Sequence, residues 1–266
     1  MTVRETAPGW DIQLGNSPVV GTAIHAGSRV REECGPLMCL AEAERLREED
    51  PFTDLMIQDF PNRIVVRHSR FEVDLNRGRD EAVYLTPEQA WGLHVWQERP
   101  SDAVVAVSLA FHDAYYDALK RVLAGIEGRF GRFVVIDVHS YNHRRGGADA
   151  VAADPKKAPD VNIGTFSMDR AGWAPLVDAF METLRQQKFK GKPLDVRENI
   201  SFQGKGEQTR FIHQHFPQTG CAIAVEFKKI FMDEWTGQPD HAAIGELRRA
   251  LTSTVPVLEQ ALRDLR

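Results

Sequence analysis

Short apolar runs that break abruptly into polar residues alternate along this chain with stretches whose apolar side chains recur every three or four positions. That alternation predicts strands interleaved with helices. The clearest run is Phe133-Val134-Val135-Ile136, β-branched and aromatic and too short for a helix, which breaks into Asp137, His139, Ser140, Asn142 and His143. Pro18 to Ile24 predicts a second strand, stopping at His25-Ala26-Gly27-Ser28. Arg63 to Arg67 and Phe71 to Val73 read as extended and stop at Asp74-Leu75-Asn76-Arg77, while Gly220 to Val225 reads as a strand stopping at Glu226. Asp160 to Thr165 predicts a short strand and Pro193 to Val196 an edge strand. Helices are expected over Leu40 to Arg47, over Thr86 to Trp96 behind a first-turn Pro87 and a capping-box Gln89, and over 102–124 with Phe111, Tyr115, Leu119 and Val122 on one stripe. Two more are expected over Gly172 to Gln187 and over Asp240 to Arg266. The segment up to about Asn16 is polar and carries no predicted element, and 144–159 and 198–210 read as loops.

In open α/β sheets ligands bind just beyond the carboxyl ends of the strands, so polar residues emerging there mark the place to look for chemistry. Asp137-Val-His139 is the leading candidate, with a strand end carrying ordinary loop polar groups as the alternative. His25 is either a ligand or a turn residue, and Gly27 beside it permits close backbone approach. Glu48, Glu49, Asp50 and Asp54 put four carboxylates within seven residues around Pro51, a pattern that serves equally to open a helix. Asn76 and Arg77 suit a carboxylate ligand, since a guanidinium fork holds both oxygens; an Arg paired with Asp74 or Asp80 is the structural alternative. Arg210 closes the Gly-rich loop and is a candidate for a second such contact. Glu226, at the end of a buried run, is costly unless paired or poised for proton transfer. Two strand-end histidines with carboxylates form the inventory of a mononuclear metal hydrolase.

Composition narrows the class without naming it. With 266 residues, 42% hydrophobic and 27% charged, the chain suits one globular α/β domain spanning 1–266. A net charge of −5 without long basic blocks implies no nucleic-acid partner. No run of about 18 apolar residues implies a membrane span, and no signal pattern opens the chain, so a cytoplasmic location is expected. Cys34, Cys39 and Cys221 form no Cys-x-x-Cys pair and read as free thiols.

In this order the motifs resemble the N-formylglutamate amidohydrolases, a family similar in fold to zinc carboxypeptidases. The resemblance runs over about 17–236 and rests on Ser17-Pro18 through His25-Ala26-Gly27, Glu49-Asp50-x-x-x-Asp54, Ser69-Arg70-x-x-x-Asp74-Leu75-Asn76-Arg77, Asp137-Val138-His139-Ser140, Asp160-x-x-x-Gly164, and Glu226 ahead of Phe231-Met232-Asp233-Glu234. It implies a three-layer domain with a central mixed, mostly parallel sheet flanked by helices, closed by the 240–266 helix. It implies one Zn2+ per chain, or another divalent metal, held by His25, His139 and one acid. Asp50 fits best as that acid, with Glu49 or Asp54 as substitutes. Glu226 would be the general base, Asn76 and Arg77 the α-carboxylate clamp, Arg210 the contact to a side-chain carboxylate, Ser140 a further substrate contact, and Arg70 or Arg144 the oxyanion partner. The expected substrate is a small anionic acyl amino acid, N-formyl-L-glutamate first. Another acyl amino acid, a short peptide, or an anionic ligand that is bound without hydrolysis are the alternatives. Sequence leaves the oligomeric state open.

Overall fold

A computed structural model describes residues 3–7 and 9–265. Its centre is an eight-stranded sheet built from β1 (Val3–Ala7), β2 (Trp10–Leu14), β3 (Val19–Ala23), β4 (Asn62–Val66), β5 (Phe133–Tyr141), β6 (Val161–Gly164), β9 (Val196–Glu198) and β10 (Gly220–Lys228). A separate small hairpin pairs β7 (Lys188–Phe189) with β8 (Lys192–Pro193). The sheet order is β1-β2-β4-β3-β5-β10-β6-β9. Its middle strands β4, β3, β5 and β10 run parallel, and antiparallel pairings join them to β2 on one side and β6 on the other. The sheet is therefore mixed with a parallel centre, so four carboxyl ends open on the same edge.

The helices are α1 (Glu42–Glu48), α2 (Thr53–Met56), α3 (Asp102–Phe130), α4 (Ala174–Arg185), α5 (Glu207–His215) and α6 (His241–Asp264). Side chains alternate across a strand, and β5 shows the consequence. Val134, Ile136 and Val138 pack into one core with α4 and α6, while Phe133 and Val135 pack into the other with α3 and α5. Helices thus cover both faces, giving three layers. The apolar stripe of α6, the helix expected over Asp240 to Arg266, is buried as Ala243, Leu247, Leu251, Val255, Leu258 and Leu262. Fully burying one such leucine stabilises the fold by roughly 1.5–3 kcal/mol. Among the described residues no helix is long and apolar enough to cross a membrane.

Several expectations need correction. Within the N-terminal segment up to Asn16, β1 and β2 pair antiparallel, and Trp10 and Ile12 are buried at alternating positions. The helix expected over Thr86 to Trp96 stops after the single 3-10 turn Pro87–Ala90. Its start signals operate, as Gln89 Oε1 accepts from the Leu85 and Thr86 amides, but Trp91 takes a left-handed backbone (φ 53°) and Gly92 follows it (φ 90°). Phe71 to Val73 turns instead of extending. The edge pairing falls on Val196–Glu198, and α5, which the Gly-rich stretch before it did not announce, begins at Glu207. Gly27 does permit a close approach, but to the chain itself: a Cβ there would lie 2.1 Å from the Arg67 carbonyl carbon.

Candidate metal and catalytic site

β3 and β5 are hydrogen-bonded neighbours, so their exits bring His25 and His139 together, with ring centroids 4.9 Å apart. Asp50 reaches the same point from the turn between α1 and α2. Its amide donates to the His25 carbonyl (2.9 Å), and the Thr53 hydroxyl donates to the Asp50 carbonyl (2.7 Å), fixing that turn against β3. One carboxylate oxygen, Asp50 Oδ2, lies 3.3 Å from His25 Nδ1 and 3.0 Å from His139 Nδ1. The Ser140 hydroxyl donates to the other oxygen at 3.0 Å. His25, Asp50 and His139 are 1%, 2% and 3% exposed and offer donor atoms all within 4.8 Å of one another.

The far side of each ring is also built. His25 Nε2 lies 2.7 Å from Asp74 Oδ1, and His139 Nε2 lies 3.1 Å from Asp137 Oδ2. Asp74 is held in turn by Arg70 (2.7 Å), the Asn76 amide (2.7 Å) and the Tyr84 hydroxyl. Asp137 accepts from Thr22 (2.9 Å) and Gln208 (2.6 Å), and Gln208 accepts from Tyr115 (2.5 Å). Such carboxylate–histidine pairs orient metal-binding rings and raise their basicity. Burial alone would raise the Asp50 carboxyl, yet hydrogen bonds and charge from both histidines hold it well below the usual range. Burial likewise disfavours a charged His139, but Asp137, Asp50 and Glu226 outweigh it and lift the ring well above its ordinary value. His25 Nδ1 is buried with no hydrogen-bond partner. Two imidazole nitrogens and a carboxylate oxygen, one nitrogen orphaned and both rings backed by acids, are the donor set that suits Zn2+. The same set accepts other divalent metals.

A cavity of about 540 Å³ opens over this group, and His25, Asp50, Arg70, Asn76, Arg77, His139, Ser140, Arg210 and Glu226 all line it. Glu226 sits on β10 directly across the ladder from His139. Burial pushes its carboxyl up to about 7, against the lowering effect of His139. Arg70 reaches the cavity while held by Asp74, its guanidinium 4.8 Å from the Trp91 ring. Arg77 enters with no ion-pair partner among the described residues, and His112 Nε2 contacts its carbonyl at 3.0 Å. Arg210 is mostly exposed and leans on Glu207 at 3.3 Å.

Three sequence candidates fall outside this cluster. Arg144 is tied to Asp233 (2.9 Å) and the Ala148 carbonyl, and it lines a neighbouring cavity of about 180 Å³, while the adjacent Arg145 faces the main one. Glu49 is turned away to Ser69 (2.5 Å), and burial pushes its carboxyl up to about 7. Asp54 pairs with Arg67 at 3.0 Å. The sequence singled out Asp137 beside His139 and Asp74 as a partner for an Arg, but did not place either behind a histidine, and it assigned no role to Gln208, Trp91 or Lys229. For Asp137 the signal was present, since residues i and i+2 of a strand share a face. For the others, no local pattern distinguishes them from ordinary polar or surface positions.

The fold and this cluster define an α/β protein with a buried histidine–aspartate–histidine group at the carboxyl edge of parallel strands. The N-formylglutamate amidohydrolase family model matches residues 17–232, and the chain belongs to that family. Among solved structures, the N-formylglutamate amidohydrolase of Ralstonia eutropha JMP134 superposes with a TM-score of 0.76 at 19% identity, covering 97% of this chain and 100% of that one. A gene product of Agrobacterium tumefaciens gives 0.66 at 16% identity, covering 97% and 95%. Carboxypeptidase A of Helicoverpa armigera gives 0.48 at 12% identity, covering 99% and 68%. No curated protein matches the chain.

Proposed function

We propose that the chain is a zinc-dependent amidohydrolase that cleaves N-formyl-L-glutamate to formate and L-glutamate. The observation that carries the reading is the shared cavity: a metal-type donor group, a carboxyl raised to about 7 and an Asn-Arg pair line one space of about 540 Å³. That volume lies within the roughly 300–1,000 Å³ usual for small-molecule sites. Family membership supports the amide as the bond broken.

His25, Asp50 and His139 would hold the ion. When bound it supplies Lewis acidity toward a carbonyl oxygen and the attacking water. Asn76 and Arg77 receive the α-carboxylate, the guanidinium offering a two-pronged contact that no acid among the described residues occupies. Arg210 stands at the exposed rim for a side-chain carboxylate. Glu226 takes the proton from water and returns it to the leaving nitrogen, a task suited to a carboxyl poised near neutral pH. Arg70, fixed by Asp74 and covered by Trp91, donates toward the oxygen on which negative charge develops.

The test is formate release by zinc-loaded protein, run beside chelated protein and the Glu226→Gln variant. Expected are chelator-sensitive release and a variant that keeps its metal but loses roughly 10²–10⁴-fold in rate. A fully active Glu226→Gln protein would remove the assigned base. The adjoining cavity shares Glu48, Trp91, Asn142 and Arg145 with the main one, leaving room for acyl groups larger than formyl. Acetyl- and peptidyl-glutamate belong in the same assay; faster cleavage of either would replace formylglutamate as substrate.

A further inference from the structure

Lys229 is the residue immediately after β10, three positions beyond Glu226, and only 1% exposed. A buried ammonium is costly unless it is paired or fully hydrogen-bonded. Lys229 makes no ion pair among the described residues. Its Nζ instead donates to two main-chain carbonyls, Arg47 O at 2.5 Å and Glu49 O at 2.8 Å. Both belong to the end of α1, where helix carbonyls lack partners within the helix and the dipole favours a cation. The cation is supplied from across the molecule, by the strand that carries Glu226.

The location gives this cap a second consequence. Glu49 is followed directly by Asp50, whose amide is fixed to the His25 carbonyl and whose carbonyl is fixed by Thr53. Lys229 therefore holds the opposite end of the peptide unit whose amide is fixed to His25, so the Glu49–Asp50 peptide is gripped from both sides. Its own amide donates to the Tyr141 carbonyl at 3.0 Å, two residues beyond His139. One residue thus links the segments bearing Asp50, His139 and Glu226, by its side chain to the first and by its main chain to the other two.

We propose that Lys229 is a positioning residue that sets Asp50 against the two histidines by capping α1 from β10, so that metal affinity depends on a side chain that touches no metal ligand. The inference rests on the reading of His25, Asp50 and His139 as ligands. Without the ammonium, two buried carbonyls lose their donor, and the α1–Asp50 turn is free to move toward water in the cleft that Lys229 also lines.

The test is cobalt(II) binding, followed by calorimetry and by the visible ligand-field spectrum, in the unmodified protein, Lys229→Met and Lys229→Ala. Methionine fills the space without donating. Its cobalt affinity should fall by about 10–100-fold, the usual effect of losing a partner behind the ligands, with a shifted spectrum and a retained fold by circular dichroism. In Lys229→Ala the vacated channel opens on the cleft, so ethylammonium should restore affinity and spectrum while propanol does not. That split separates a charged donor from a neutral molecule that fills the space and offers a single hydroxyl donor. Unchanged affinity and spectrum in Lys229→Met, or equal rescue by propanol, would overturn the clamp while leaving the metal site standing. Failure of the unmodified protein to bind cobalt would overturn the ligand reading and the clamp with it. If Lys229→Met does not fold, Lys229→Gln keeps a neutral NH2 donor, one atom shorter and without the charge, and should lie between the two in affinity; parity with the unmodified protein would count against the proposal.

Discussion

His139 and His213 stand on adjacent parts of the same layer arrangement, yet their surroundings prepare them for opposite states. His139 has a carboxylate oxygen near each ring nitrogen, Asp50 on one side and Asp137 on the other, and its ring is held well above the ordinary histidine value. His213, on α5, has none among the described residues. Its Nε2 accepts from the Ala222 amide at 2.9 Å and its Nδ1 meets the Ser167 hydroxyl at 3.0 Å. Burial pushes it down to about 4. A backbone N–H aimed at Nε2 also fixes the tautomer, so Nδ1 carries the proton and donates to Ser167; the serine is not activated as a nucleophile. Burial is common to both rings. Partner chemistry decides which is equipped for a metal and which is a neutral strut.

The largest expected effect breaks the comparison directly. His139→Gln should abolish stoichiometric metal binding and lower formate release by about 10³-fold or more, in line with loss of an essential member of a catalytic unit. His213→Gln, which keeps an acceptor for Ala222, should leave kcat/KM within about twofold and metal content unchanged. Metal analysis and steady-state kinetics on both proteins check this. Equal losses would mean that the two sites are not functionally distinct.

His213 should appear instead in stability. Its folded value of about 4 lies below the ordinary 6.5, so between those limits the unfolded chain binds more protons. Stability then falls as pH drops through that window, by up to about 3 kcal/mol for a shift of this size, and levels off below about 4. Other groups titrate there too, so the informative quantity is the difference in urea midpoint between parent and His213→Gln at pH 7, 5 and 4. That difference should shrink or change sign on acidification; a constant difference would show that the ring is protonated alike in both states.

How much of this contrast the sequence revealed follows from the distance over which each partner acts. The central strands and the long helices were legible because hydrophobic period is a local property, while the mostly parallel pairing came with the family resemblance. Asp137 and His139 were legible together because they are two residues apart on one strand. Asp74 reaches His25 across 49 positions and Asp50 reaches His139 across 89, and no local pattern reports either contact. The choice among Glu49, Asp50 and Asp54 turned on backbone direction in a single turn, where successive side chains point to Ser69, to the histidines and to Arg67. Lys229 was opaque for a related reason: a lysine after an apolar strand ordinarily marks the surface, and here the surface is covered by α1.

The carboxylates behind the rings sharpen the comparison at smaller amplitude. Asp74→Asn keeps an oxygen for the ring but removes the charge, and should weaken metal binding by about 10–100-fold while the fold persists. Since Asp74 also anchors Arg70 and Tyr84, the same variant should lower kcat beyond what metal loss explains. Saturating zinc separates the two contributions. Full recovery of kcat at saturation would confine Asp74 to its histidine.

The smallest effect runs in the opposite direction, by giving His213 what His139 has. In Ser167→Asp a carboxylate replaces the hydroxyl that meets Nδ1, and a carboxylate beside a histidine stabilises its charged form. The gain is limited by the other side of the ring. Protonation puts a hydrogen on Nε2, where the Ala222 amide already points, and the charged form must break that contact. Lys205 and Arg210, which line the same surface hollow as His213, add positive charge that opposes protonation. The ring should therefore rise by about one pH unit from its value of about 4, well short of the ordinary 6.5, as followed by NMR titration of the ring proton. A rise to or above 6.5 would show that a single carboxylate suffices to make a buried histidine basic. A rise of about one unit assigns the difference between the two rings to the β5 site's second acid and to the backbone donor that it lacks.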